Sequence, residues 1–198
     1  MDQPLIAAIV RFAHEAGHLK NVQRAGWLLA GIRHAESVAE HSFRVGVLAY
    51  LIAAEEGANP DRAATLGLFH DIPETRIGDQ HSVGKRYVET PNPRSVIGDQ
   101  VADLPPVLAE HIVALIEEHE SAKTEDATLE ARCSRDADKI ECLLQAREYQ
   151  REGYTQLEPW VKTMVDSVST ETGKRLAKVA LEVSPGSWWE GFAAAFDR

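Results

Sequence analysis

The chain has 198 residues, 44% of them hydrophobic and 26% charged, an ordinary balance for one globular domain with a sizeable core. A net charge of −10 argues against broad nucleic-acid binding, although one local arginine and a metal ion would suffice to hold a small anion. The longest apolar run, Val45–Ala54, is too short to cross a bilayer, and the first residues lack the cationic-then-apolar order of a signal peptide, so a cytoplasmic protein without membrane attachment is expected.

Helical periodicity dominates, and no sustained period-two alternation stands beside a hairpin turn. A first helix is predicted over about Pro4–Leu19, followed by an irregular stretch, Lys20–Ala35. Ser37, with Glu40 three residues on, forms a capping box that opens a second helix, which runs to about Glu56 and stops at Gly57. Pro60-Asp61 opens the next, ending near Asp71–Pro73. Gly78–Pro93 mixes Gly, Pro, Asn and Asp with charge and reads as a long functional loop with room for one short helix. Helices follow at about Arg94–Ala102, Pro105–Glu120 and Asp126–Gln150, then near Glu158–Val168, Glu171–Leu181 and Trp188–Phe196. The expected fold is all-α, a single compact helical bundle over residues 1–198. Cys133 and Cys142 fall in one predicted helix at a spacing unlike a zinc knuckle or redox pair, so both are expected to be reduced. Trp188-Trp189 are expected to cap the core, with an interface as the other reading.

Chemistry concentrates on a few histidines and acids. His41 lies in the series Val38, His41, Val45, Leu48, Ile52, so its imidazole sits on an apolar stripe. His70 shares a face with Ala63, Leu66 and Gly67, and Asp71 follows it at the helix end, where the chain leaves helical geometry and both side chains can turn to one ion. A carboxylate buried there costs several kcal/mol, about, unless it is paired or binds a cation. Downstream, Asp136-Ala137-Asp138 offers two aspartates. At ~100° per residue Asp136 shares the face of Cys133, Ile140 and Leu143, while Asp138 lies among Ala131, Ser134, Cys142 and Ala146. Apolarity favours Asp136 as the buried one; small residues also mark close backbone approach, so periodicity leaves both open.

The spaced set His41, His70-Asp71 and a distant aspartate resembles the HD-domain metal-dependent phosphohydrolases. More closely, it resembles their 5′-deoxynucleotidase branch. The stretches that carry this are Arg24-Ala25-Gly26-Trp27, Glu36–Ser42, Phe69–Glu74, Ile77-Gly78-Asp79 and Asp138–Glu141 leading into Leu143–Ala146 and Glu148-Tyr149. The resemblance spans about residues 5 to 180, and it selects Asp138 as the fourth metal ligand. It implies one divalent ion (Mn, Co, Fe, Ni, Zn or Mg) held by His41, His70, Asp71 and Asp138. It further implies Glu74 as proton carrier, Asp79 as an acid needed for activity, and Arg24 as the phosphate-binding residue, with a homodimer as the assembly. The implied reaction removes the 5′-phosphate from (deoxy)nucleoside monophosphates; attack on triphosphates or alarmone nucleotides, and nucleotide binding without turnover, are the alternatives.

Side roles follow. Trp27 reads equally as pocket wall or packing anchor, while Arg33 and Lys85 are candidate phosphate neighbours. His81, His111 and His119 lie between the His-Asp pair and the last aspartate, where dinuclear HD proteins place extra ligands. His111 and His119 are about ~80° apart round a helix, an angle compatible with both facing inward. The branch resembled is mononuclear at that place, so a single ion is expected. His14, His18 and His34 show no partner pattern.

Overall fold

The computed structural model describes residues 3–89 and 91–196. The expectation of an all-α bundle holds: among the described residues there is no strand, only one isolated antiparallel bridge, Gln23 to Ser37. The helices are α1 (Gln3–Gly17), α2 (Ala25–Leu29), α3 (Val38–Glu56), α4 (Pro60–Phe69), α5 (Glu74–Ile77) and α6 (Pro93–Gln100). They continue with α7 (Pro106–Glu120), α8 (Leu129–Arg151), α9 (Glu158–Ser167), α10 (Glu171–Ala180) and α11 (Ser187–Phe196). No helix among the described residues is long and apolar enough to cross a membrane.

Local signals explain the helix ends. The Ser37 hydroxyl accepts the Glu40 N–H at 3.2 Å, and the Glu40 carboxylate accepts the Ser37 N–H at 2.7 Å, closing the capping box. Gly57, at φ 75°, terminates α3 in the left-handed region, and the Asn59 side chain then caps α4 ahead of Pro60. The stretch read as irregular is more ordered than its composition suggests. It holds a 3-10 turn at His18–Asn21 and the short helix α2. Around the bridge, Arg24 N–H donates to Glu36 O and Val38 N–H to Val22 O. That pairing needs a partner segment beyond helical range, so local periodicity carries no trace of it. Pro73 is also placed differently: it precedes α5 and starts that turn rather than ending α4.

Two apolar clusters meet along the first two turns of α3. Val45, Ala49 and Ile52 join Ile140, Leu143 and residues of α9 and α10 in one; Val38 joins Ile72, Ile97 and Ile116 in the other. Each fully buried branched side chain contributes about 1.5–3 kcal/mol. His41 lies between Val38 and Val45, and so at the seam of the two cores. α4 crosses α3 closely at Gly67, where a Cβ would stand 3.0 Å from a Val45 methyl and 3.2 Å from its carbonyl oxygen. This close approach lets His70, one turn further on, reach His41, with ring centroids 5.5 Å apart.

α8 is buried on two faces. Asp136, on one, is fully buried as apolarity suggested, but its carboxylate is consumed by the start of α10. It accepts Ser169 N–H at 2.9 Å, Thr170 N–H at 2.6 Å, and the hydroxyls of Ser169 and Thr170. Gly173 leaves the room for this: a Cβ there would meet Asp136 Oδ2 at 2.6 Å. Trp188 and Trp189 do not cap the core; they are 76% and 43% exposed, and Trp189 carries the Arg151 guanidinium 5.5 Å from its ring centre. The side chains described on α11 are exposed, so a hydrophobic dipeptide there was a poor guide to burial.

Candidate metal centre

His41 from α3, His70 and Asp71 from the end of α4, and Asp138 from α8 converge. His41, His70 and Asp71 offer donor atoms within 4.8 Å of one another, as do His41, Asp138 and Cys142. His41 Nε2 lies 3.3 Å from Asp138 Oδ1 and 3.7 Å from Asp71 Oδ2. Neither approach has hydrogen-bond geometry, so this fully buried nitrogen is left without a partner. Both histidines are oriented from behind: His41 Nδ1 meets Glu141 Oε2 at 2.5 Å, and His70 Nδ1 meets the Gly67 carbonyl oxygen at 2.7 Å. An orphaned imidazole nitrogen facing two carboxylates, with a second imidazole beside them, fits a divalent cation. Cys142 stands beside this set, buried, and accepts a hydrogen bond from the Arg24 guanidinium at 3.4 Å.

The surrounding charges are arranged to keep the carboxylates ionised. Burial opposes the charge on Asp138, but Lys139, with Nζ 2.6 Å from its Oδ2, and the imidazoles hold its carboxyl well below the usual range. Burial likewise opposes Asp71, and His70 together with Arg24 depresses it. Arg24 Nη1 is 3.4 Å from Asp71 Oδ2 and 3.7 Å from Asp79 Oδ1. Gly78, at φ 70°, turns the chain so that Asp79 Oδ2 accepts the Ala25 N–H at 2.7 Å. Asp79 therefore also fixes the start of α2 and, through it, Arg24. Glu74 has the opposite environment: burial, then Asp71 and Asp79, push its carboxyl up to about 10, and its Oε2 has no hydrogen-bond partner.

All seven residues singled out from the sequence are thus brought together, and except for His41 they line one cavity of about 530 Å³. Trp27 serves as a packing anchor as well as part of the wall: it is buried, donates Nε1–H to Glu36 at 2.9 Å and packs edge-on against Tyr149. Lys85 and His81 reach the cavity; Arg33 is exposed and does not line it. His111 is exposed, which removes it from any inward pair. His119 is buried, its ring centre 4.7 Å from that of His70 and its Nδ1 2.9 Å from Ser134 Oγ. Burial and His70 push its pKa down to about 3, so it stands as a neutral imidazole on the cavity wall. Its charged sequence neighbours concealed this, because one face of α7 is buried while glutamates occupy the others.

Glu141 and Arg44 carried no assignment from their residue types. A signal existed: Asp138, Glu141, Cys142, Gln145 and Glu148 form an i, i+3, i+4, i+7, i+10 stripe along a helix buried on two faces. A polar stripe in such a helix requires partners, and here they come from α3.

Metal binding and pH should be linked. Burial and Arg24 oppose a charge on His41, yet Asp138 and Glu141 raise its pKa from 6.5 to about 9 in the metal-free protein. The stability contributed by that proton is full below pH 6.5 and lost as pH rises through about 9. Glu74 acts in the same direction, since the folded state keeps a proton up to about 10 that the unfolded chain releases near 4.5. A cation at Nε2 displaces the His41 proton. The melting temperature of the metal-free protein is therefore expected to fall between pH 6.5 and 9, while the stabilisation on adding a divalent ion grows; calorimetry with and without metal checks both.

The chain is similar to several known proteins. Residues 16–180 match the HD domain family. The chain is 32% identical over 146 residues to the 5′-deoxynucleotidase HDDC2 of Mus musculus, covering 73% of this chain and 71% of that protein. It is also 32% identical over 150 residues to the 5′-deoxynucleotidase hdd1 of Schizosaccharomyces pombe, covering 73% of both. Its fold is similar to a crystal structure titled as a predicted metal-dependent phosphohydrolase from Magnetospirillum magnetotacticum, at TM-score 0.69 and 26% identity over 91% of this chain and 92% of that one. The chain belongs to the HD-domain family, and within it to the branch of the 5′-deoxynucleotidases.

Proposed function

We propose that this protein is a metal-dependent phosphomonoesterase that takes the 5′-phosphate from (deoxy)nucleoside monophosphates, giving a nucleoside and inorganic phosphate. The observation that carries the reading is the unpartnered His41 Nε2 facing Asp71 and Asp138 beside a cavity that also holds Arg24 and a protonated Glu74. His41, His70, Asp71 and Asp138 would hold one divalent ion, which supplies an acidified water and draws charge from a phosphate oxygen. Arg24 grips the phosphate: its Nη2 leans only on the neutral Cys142 sulfur, a weak acceptor that phosphate oxygens replace. Asp79 holds that arginine in place by fixing the N–H of Ala25. Glu74, a neutral acid beside these anions, donates a proton to the departing 5′-oxygen, and its buried position keeps bulk water from that proton. Trp160, Met164, Pro159 and Leu29 form an apolar wall of the same cavity, suited to the nucleoside. The reading includes a homodimer, as the family resemblance implies, and a place in the cytoplasm, as the sequence suggests.

The test is phosphate release from a panel of nucleoside mono-, di- and triphosphates. Deoxynucleoside monophosphates should be cleaved, activity should vanish on chelation, and about one divalent ion per chain should restore it. Turnover that survives complete metal removal overturns the reading. Pyrophosphate or triphosphate as product would move the bond that is cut, and tight nucleotide binding with no product would make the protein a sensor.

A further inference from the structure

Behind the metal centre lies a second layer that the reaction does not use. Arg44 stands one turn after His41 on α3, and Glu141 one turn after Asp138 on α8, so the two helices meet through a front pair and a rear pair. Glu141 is fully buried, as is His41. Its Oε2 takes His41 Nδ1 at 2.5 Å, and its Oε1 takes Arg44 Nε at 3.0 Å and Nη2 at 2.8 Å. Arg44 is itself held at Nη1 by Glu148 at 2.6 Å and at Nη2 by Gln145 at 2.7 Å.

We infer that Glu141, backed by Arg44, is a positioning residue that selects the tautomer of His41 and thereby creates the metal-binding lone pair. The inference rests on the metal-dependent reading above. Two groups of Arg44 donate to Oε1, so that oxygen is an acceptor, and a carboxylate is acceptor-only at Oε2 as well. His41 must then carry its proton on Nδ1. Nε2 is then the nitrogen left to a metal ion, aimed at Asp138 and Asp71, and an ion between them takes the place of any proton that Nε2 carries in the metal-free protein. The unpartnered state of Nε2 is the independent sign of it.

A competing account makes the rear cluster a metal site of its own, since Glu36, His41 and Glu141 also offer donors within 4.8 Å of one another. The contacts speak against it. His41 Nδ1 and both Glu141 oxygens already have partners, and the guanidinium of Arg44 would repel a cation at that place. Glu36 accepts a hydrogen bond from Trp27, and burial with the nearby Glu141 pushes its carboxyl up to about 7. The cluster is a support for the imidazole and the front of the ring is its working side.

Glu141→Gln discriminates sharply, because an amide cannot accept on both sides. With its oxygen toward Arg44, the amide nitrogen donates to Nδ1, the His41 proton moves to Nε2, and the lone pair is lost. With its oxygen toward His41, the amide donors confront the Arg44 guanidinium. Zinc affinity of the folded variant, measured by calorimetry without substrate, is expected to drop about 10- to 100-fold. Glu141→Asp, which keeps the charge but shortens the reach, should fall between the variant and the native protein. Independently of any variant's folding, nitrogen–proton correlation spectra of the zinc-loaded native protein should show His41 protonated at Nδ1 and metal-shifted at Nε2. Native zinc affinity in a folded Glu141→Gln variant, or zinc on Nδ1, overturns the inference. Neither readout involves turnover, so a protein that binds zinc through Nε2 and cleaves no nucleotide would overturn the phosphatase reading and leave this one standing.

Discussion

Replacing Asp138 with alanine is expected to abolish phosphatase activity while leaving the protein folded. Its side chain is 14% exposed and lies at the cavity wall, 3.3 Å from His41 Nε2. Its one hydrogen bond is from Lys139, whose own side chain is 25% exposed and can turn to solvent when the carboxylate is gone. In the metal-free protein Lys139, His41 and His70 hold this carboxylate ionised, so its removal costs some stability, but α8 keeps its apolar packing and the fold survives. With Asp138 as the proposed metal ligand, function loses on the order of several kcal/mol of stabilisation of the charge developing on phosphate. At ~1.4 kcal/mol per tenfold, kcat/KM should fall about a thousandfold or more. Bound metal per chain, measured by atomic emission after dialysis, should fall in parallel, while circular dichroism stays native. A variant with full metal content and native kcat/KM would remove Asp138 from the site.

Asp136→Ala, two residues away, should do the reverse. Its carboxylate satisfies the backbone N–H groups and hydroxyls of Ser169 and Thr170, the two residues that lead into α10. Alanine removes the charged acceptor of Ser169 and of Thr170, the residue whose hydroxyl caps α10 by accepting Gly173 N–H. Each buried donor left unpaired costs about 1–3 kcal/mol, and the cap that Asp136 orients is worth about 1 kcal/mol. A loss on the order of 3–5 kcal/mol is expected, a large part of the ~5–15 kcal/mol that holds such a domain together. The melting temperature should drop by about 10 °C. Activity per folded molecule should be close to native, because α10 contributes nothing to the cavity wall. Native thermal stability in Asp136→Ala would show that this carboxylate is dispensable to the fold. The two variants together form a contrast in which chemistry and folding separate on opposite faces of one helix.

The same contrast marks how far local reasoning reaches. On a helical wheel Asp136 lies on the apolar face of α8, and that prediction of burial was correct; what it could not tell is that the buried carboxylate already had its partners in Ser169 and Thr170. Burial and function are different properties, and a wheel reports only the first. His111 and His119 failed in the same way: their angular separation allowed a shared face, and tertiary packing buried one and left the other in solvent. Arg24 reaches the site through the pairing of residues 22–24 with 36–38, and Trp188 lies exposed on α11; both depend on where a segment packs, which periodicity does not encode.

Some properties were legible because they are local. Capping residues and i, i+3, i+4 stripes act within one or two turns, so the helices, their starts at Ser37 and Pro60 and the inward face of His41 follow from the residues in order. The spaced set His41, His70-Asp71 and Asp138 was legible as a pattern, since its members are types that serve a metal ion. Only the folded chain could decide which groups face one another. α3, α4 and α8 bring four ligand candidates into one cluster and leave His41 Nε2 unpartnered within it. They also give Glu141 a fully buried post behind His41, where a carboxylate with a guanidinium at its back can direct a proton. Distances across helices, and the dielectric that burial creates around them, arise only when segments far apart in the chain are packed together.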